Sequence, residues 1–448
     1  MTSSTPPHGL RQAIGLTRAT AMVVGTIIGA SIFVQPSLVS GAVPSVSGML
    51  LVWAVAGALT LIGALVTAEL ASAFPGTGGV YVFLRESYSP AVAFLWCWAM
   101  FWSMHTGIIA AIATVCARYV GFFVPLGNTG VRVVAIGAIL VLSAVNYVGV
   151  RYGTAVQTTF TIIKVAAVAL IAIAGFVAPH RVPATADIST PPFVPSLRAL
   201  VAATVAGLFA FGGWHMVTYT GDETVDARRT IPRALLIGTL AVTASYIAVN
   251  AAYLAVLSPA AVASSNRVAA DFADIVLGNG GAAAMSALVV LSTLGAMTGI
   301  ILTGPRVYLA AAHDGLLFRW IGGIHPRYGT PHHAIVLQAV WASILVATGT
   351  YRALFTRVVY TEWIFFGLMT AGVFVLRRRA DYAPAYRAWG YPVLPLVFIV
   401  STAVIVFNQL ASDPIESATG LLIVLAGLPI YYLRTARLNS RTVTHADH

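Results

Sequence analysis

The feature that most constrains this chain is a series of apolar runs of about 20 residues, each long enough to cross a bilayer as a helix. Inside a hydrocarbon layer every backbone N–H and C=O must be satisfied internally, which leaves only helices or closed barrels. The runs predict twelve spans, near residues 19–39, 48–74, 91–124, 131–148, 157–178, 199–221, 233–257, 281–312, 331–349, 356–376, 392–410 and 419–433. Between them lie turn and breaker residues, such as PGTGG at 75–79 and the proline-rich PATADISTPPFVPS at 183–196. The expected fold class is therefore an all-α polytopic membrane protein. One transmembrane domain is expected over 17–433, between an N-terminal tail (1–16) and a C-terminal tail (434–448). Composition agrees: 58% of residues are hydrophobic and 9% charged, against about 25% charged in a soluble domain. The first run follows a polar stretch and lacks a cleavage pattern, so it reads as a retained helix rather than a signal peptide.

The net charge of +11 comes from 24 arginines and one lysine, Lys164. In a soluble chain such a balance would suggest nucleic acid; here topology is its simpler cause. Assigning the loops alternately to two sides puts 17 arginines on the side holding both termini and 7 on the other. Positively charged loops stay inside, so both termini are expected in the cytoplasm and the chain in the cell (inner) membrane. Cys97 and Cys116 both fall in an apolar run. They offer neither a disulfide framework nor a metal site.

Two runs carry small residues at mid-span. Span 1 reads VVGTIIGASIFVQPS, with Gly25, Gly29, Ala30 and Ser31; span 6 reads GLFAFGGWHMVTYTGDE, with Gly207, Gly212 and Gly213. A single such glycine usually marks close helix packing. The pairing is more telling, because spans 1 and 6 open two five-helix halves, 17–178 and 199–376, followed by accessory helices over 392–433. Glycine-interrupted segments at matching positions of two halves point to a transporter binding site. Unwound helix ends expose N–H groups that attract a carboxylate and C=O groups that accept from an ammonium. A site with both free suits an α-amino acid.

The stretches GTIIGASIF, IGALVTAELASAFPGTGGVYVFL, FAFGGW with GDETVDARRTIPRAL, and LTGPRVYLAAAHDGLL resemble the amino acid–polyamine–organocation transporters, in particular their L-type amino acid transporter branch. The resemblance extends over roughly residues 12–435. It implies a LeuT-type fold with a five-plus-five inverted repeat, broken helices 1 and 6, and alternating access around a midplane site. It also implies substrate contacts. N–H groups around Gly29, Ala30 and Ser31 would hold the carboxylate, and carbonyls of Ile27, Phe209 and Gly212 near Ala210 would receive the ammonium. Phe209 would close over the substrate, with Trp214 as a wall. Two departures from the family pattern stand out. Ser31 replaces a usual glycine, which would narrow or re-polarise the pocket. His215 replaces a usual asparagine, as a titrating residue or as a hydrogen-bonded structural one.

An ionisable residue inside a span is a functional hypothesis by default. For Lys164 the bland alternative is snorkelling to the membrane face. The resemblance implies instead that its ammonium replaces a bound sodium ion between spans 1 and 8, with Ser292 as partner, making transport sodium-independent. Glu69, at the end of span 2, is expected to pair with a loop arginine and serve packing or gating. Glu362 is expected either as a rim ion pair with Arg357 or as an acidic residue drawing cationic substrates to an outer vestibule.

The chain has no HExxH motif and no GxSxG elbow. It also lacks a cofactor-binding loop, which argues against an enzyme. The leading reading is a sodium-independent amino-acid carrier for a substrate that is neutral in its side chain, working as an exchanger or with protons. A cationic amino acid or polyamine carrier of the same fold is the alternative, and a non-transporting sensor the alternative of another class. Eukaryotic L-type relatives attach to a heavy chain through a cysteine between spans 3 and 4; PLGNTGVR in that place has none. A stand-alone chain of bacterial type is implied, with no cofactor, metal or nucleic acid.

Overall fold

A computed structural model describes residues 10–177, 196–265, 267–278, 280–349 and 351–444, without the side chains of 351–359 and 437–444. The loop at 183–195, Arg181 and the first nine residues lie outside it, as do the side chains of Arg352, Arg357, Arg437 and Arg441.

The described residues are almost entirely helical. Nine helices are long and apolar enough to cross a membrane, or ten when the bent pair Leu16–Ile27 and Ser31–Ala42 counts as one. Besides span 1 and spans 9 and 10, the nine other expected spans begin with Val46–Ala73, Pro90–Val120, Asn128–Val148 and Val150–Val177. They continue with Leu197–Glu223, Ala227–Val256, Gly281–His313 and Val393–Ser412, and Pro414–Ala436 completes the nine. Two shorter apolar helices, His332–Thr348 and Tyr360–Leu376, occupy the positions expected for spans 9 and 10. The second of these is part of a longer helix, Tyr351–Leu376.

Local chemistry explains several starts. Ser45, Ser89 and Ser196 each accept a hydrogen bond from the N–H three residues on, the N-cap arrangement. Pro90 occupies the first turn of span 3, where a missing N–H costs nothing. Met100–Met104 forms a π turn within that span, a local irregularity that recurs at functional sites.

Packing separates core from periphery. Span 8 has 78% of its apolar window buried, whereas spans 4, 11 and 12 have between 22% and 28%. The outer spans turn large apolar side chains outward: Val133, Leu140 and Val141 in span 4, and Phe407 and Leu422 in the last two. Such apolar faces are unfavourable in water and natural in lipid. In the core, span 1 packs on span 6, span 2 on span 7, span 3 on span 8 and span 4 on span 9.

Candidate functional site

Spans 1 and 6 are both broken, and the breaks meet. Span 1 is helical to Ile27 and again from Ser31, with a bend of 46°. Span 6 is α-helical to Ala210 and resumes as a 3-10 segment, Trp214–Glu223. Gly213 sits between them at φ 97°, a left-handed conformation that a side chain would strain. A Cβ there would also come within 3.1 Å of the Thr26 carbonyl. The Thr26 hydroxyl in turn lies 3.1 Å from the Gly213 carbonyl.

A broken helix leaves orphan carbonyls that must find donors in a membrane. Here side chains from other spans supply them. Lys164, with no exposed surface, directs its ammonium at three carbonyls: Ile28 at 2.7 Å, Gly25 at 3.0 Å and Ser292 at 3.2 Å. All three donors are thus used. Gly295 of span 8 makes room, since a Cβ there would meet the lysine Cε at 3.2 Å and Phe160 at 2.7 Å. The Ser292 hydroxyl donates to the Gly29 carbonyl at 3.0 Å. The snorkelling alternative for Lys164 is not what the chain adopts.

The Tyr246 hydroxyl of span 7 lies 3.1 Å from the Ile27 carbonyl and 3.0 Å from that of Ala210. One phenolic proton therefore serves both breaks. Sequence reasoning missed this residue, because a tyrosine in an apolar run carries no signal of its partners. The carbonyls expected to await an ammonium are therefore partly engaged. Ile27 accepts from Tyr246, and Phe209 accepts from the Gly212 N–H at 3.3 Å. Each has a second lone pair. By contrast, the N–H groups of Gly29, Ala30, Ser31 and Ile32 have no acceptor among the described residues. They form the start of the second half of span 1, the end of a helix that favours an anion.

The aromatic residues divide. Phe209 is 38% exposed although Leu208, Ala210 and Phe211 beside it are buried, so it does not cap an enclosed space in this conformation. Trp214 is buried under the break, 5.3 Å from Phe366 by ring centroids. It also faces Gly63 of span 2, where a Cβ would sit 3.1 Å from its ring.

Glu69 is fully buried and held on both oxygens. Arg377, at the end of span 10, contacts it at 2.8 and 2.5 Å, and the Ala388 N–H donates at 2.7 Å. Glu69 was expected to pair with a loop arginine, and Arg377 directly follows the last helical residue of span 10, Leu376.

Glu362 and His215 differ from expectation. Glu362 does not stand on an exposed rim, being only 9% exposed. Its Oε1 lies 3.6 Å from Nε2 of His215, which has no exposed surface. His215 was expected as a hydrogen-bonded residue if structural, yet neither ring nitrogen has a hydrogen-bond partner. Rings of Trp96, Trp214, Tyr219 and Phe366 surround it instead, at 4.8 to 6.0 Å between centroids. The reason is register. Helical spacing turns residue 362 inward onto span 6, not outward, and distance along a sequence does not reveal that.

The face carrying the N-terminus is closed. The N–H groups of Ala13 and Ile14 donate to the Glu223 carbonyl at 2.9 and 3.0 Å, and the Val225 N–H donates to Ile14. Leu10 and Ile14 are buried. Glu223 and Arg306 form a two-pronged pair at 2.8 Å with neither side chain exposed. The PGTGG loop clamps the end of span 6: a Cβ on Gly221 would overlap the Pro75 carbonyl at 2.0 Å. Asp314 holds Arg85 and, at 2.6 Å, the Tyr81 hydroxyl. None of these contacts was read from the sequence, where Arg306 and Glu223 lie 83 positions apart.

Comparison with known proteins agrees with this architecture. The family model described as "Amino acid permease" matches residues 14–431. The chain is 33% identical over 439 residues to the "Serine/threonine exchanger SteT" of Bacillus subtilis (strain 168), covering 96% of this chain and 98% of that protein. It is also 33% identical to the human "Large neutral amino acids transporter small subunit 2", over 95% of this chain and 80% of that protein. To the mouse "Asc-type amino acid transporter 1" it is 32% identical, over 95% and 81%. The relatives are transporters rather than enzymes, and this chain belongs to the amino acid permease family, as a multi-pass membrane transporter of amino acids.

Proposed function

We propose that the chain is a sodium-independent secondary carrier that binds the zwitterionic backbone of an α-amino acid with a neutral side chain. The carboxylate lies at the N–H groups of residues 29–32, and the ammonium takes the remaining lone pairs near Ile27, Phe209 and Gly212. Phe209 swings over the bound substrate. The relatives named as a serine/threonine exchanger and as neutral amino-acid transporters support that substrate class.

The observation that carries the sodium independence is the Lys164 ammonium, whose three donors meet carbonyls of spans 1 and 8. A desolvated cation ringed by carbonyl oxygens is what a sodium site would offer, and here the protein supplies the cation itself. Uptake of serine, threonine and leucine into proteoliposomes, in sodium and then in choline buffer, tests this. Equal rates are expected; a strict sodium requirement overturns it. Trans-stimulated counterflow in the same vesicles separates a carrier from a sensor.

Twelve spans in two inverted five-helix halves, over 17–178 and 199–376, complete the reading, with both termini cytoplasmic in the cell membrane. The packing of equivalent spans on one another, 1 on 6 through 4 on 9, supports it. The closed N-terminal face and exposed Phe209 then correspond to an outward-facing conformation. No disulfide-linked heavy chain is required, since PLGNTGVR at 125–132 lacks a cysteine.

A further inference from the structure

His215 and Glu362 are a pair that substrate binding does not use. Both are buried, and they face each other at 3.6 Å across the junction of spans 6 and 10. That separation is within ion-pair reach and beyond a hydrogen bond. Ionised carboxylates inside a membrane domain are costly unless a positive charge or a proton neutralises them. Only two arrangements of this pair carry no net charge: carboxylate with imidazolium, or carboxylic acid with imidazole. Each contains one proton more than the fully deprotonated pair.

We propose that His215 and Glu362 share a single exchangeable proton, and that its uptake and release are coupled to the movement of the inner half of span 6. The proposal rests on the carrier reading above. Two observations locate the coupling. His215 is the second residue after Gly213, at the start of the 3-10 segment 214–223. Glu362 belongs to the continuous helix of span 10. Any tilt of the segment against span 10 therefore changes the 3.6 Å separation directly. The Glu362 side chain keeps 11% exposure while His215 keeps none, so exchange with water runs through the carboxylate. The balance is simple. One proton enters from water while the pair is closed, neutralising it, and leaves to the other side when the segment moves away.

Among the described residues, no other ionisable group neutralises the pair. Glu69, Glu223 and Asp314 are each held by an arginine, namely Arg377, Arg306 and Arg85. Glu86 also meets Arg85, and Lys164 is committed to its three carbonyls. Among the described residues, the titratable groups near the site from spans 3, 6 and 8 are Tyr219, whose ring centroid lies 5.5 Å from that of His215, and beyond it His105 and Tyr308. His105 lies 6.1 Å from the Tyr219 ring, with neither nitrogen hydrogen-bonded. It is the nearest rival for the proton, which makes His105→Asn a necessary control.

The test uses purified full-length protein in vesicles loaded at alkaline pH and placed in acidic medium. Wild-type protein should accumulate serine or threonine at least about threefold over vesicles without a pH gradient. Glu362→Gln and His215→Asn should lose that accumulation yet keep counterflow, while His105→Asn should keep both. Accumulation by Glu362→Gln equal to wild type overturns the proposal, as does a wild type that counterflows but ignores the gradient. Absence of counterflow in the wild type instead overturns the carrier reading. The proton assignment is then judged by infrared difference spectra between two pH values. A protonated-carboxyl band lost in Glu362→Gln supports it, and an unchanged band refutes it. Thermal unfolding of each variant verifies folding.

Discussion

Lys164 was conspicuous as the lone lysine among 24 arginines, and its position inside an apolar run made it a candidate from composition alone. What its ammonium touches was not readable there. Its acceptors lie 136, 139 and 128 positions away, and only folding brings them together. Lys164→Ala leaves these carbonyls of the first break and span 8 without their donor, each at a cost of about 1–3 kcal/mol. Uptake should fall at least about tenfold, with the protein still folded by thermal unfolding; near-normal uptake would return Lys164 to a packing role. Ser31 raises a different question at the same scale. Its backbone belongs to the free N–H row, and its side chain adds a Cβ and a hydroxyl beside it. Ser31→Gly should broaden the range of side chains that compete in uptake assays, and an unchanged profile would show that the hydroxyl does not shape the pocket.

At the scale of elements, the broken helices were legible because glycines recur at mid-span in two runs placed alike in two halves. The crossing of the breaks at Thr26 and Gly213 was not, since it depends on how spans 1 and 6 pack. Gly213→Ala should cost about 1–3 kcal/mol in backbone strain and push the Thr26 carbonyl away. The expected result is a lower melting temperature together with lost substrate binding, read as a missing thermal shift on adding amino acid. Retained binding would mean that the junction tolerates a side chain. Glu69 was also legible as an acid at the end of span 2 beside a turn, but its partner came from the end of span 10, 308 positions on. Arg377→Met strands a fully buried carboxylate, which should cost about 3 kcal/mol or more. Thermal unfolding in detergent measures it, and a loss under about 1 kcal/mol would show the pair to be replaceable by the Ala388 N–H and by the Tyr382 hydroxyl, which donates to Glu69 Oε1 at 3.2 Å.

At the scale of the molecule, closure of one face depends on an N-terminal strap that the sequence presents only as a polar tail. Residues 13 and 14 pair with 223–225, and the buried Glu223–Arg306 bridge lies behind them. Ile14→Asp places a charge at a position with no exposed surface and should loosen this face. Thr77, 7% exposed in the clamped loop, offers a reporter. With Cys97 and Cys116 replaced by alanine, a cysteine at position 77 should label about tenfold faster when Ile14→Asp is added, equivalent to about 1.4 kcal/mol of shifted equilibrium. An unchanged rate would mean that the strap is not part of the closure.

The amino-acid sequence by itself determined what depends on neighbours along the chain. It carried membrane-length helices, their breaks and the rarity of Lys164. Run length and small residues at mid-span are local properties, and the bilayer reads them locally. The tertiary structure alone decided which buried polar group faces which. It gave Lys164 three carbonyls, gave Tyr246 two breaks to serve, and turned Glu362 from an expected rim onto His215. Burial in a low-dielectric interior makes a polar group without a partner costly. In a bundle of long helices that partner sits on another helix, often more than a hundred residues away, and no spacing along the chain encodes it.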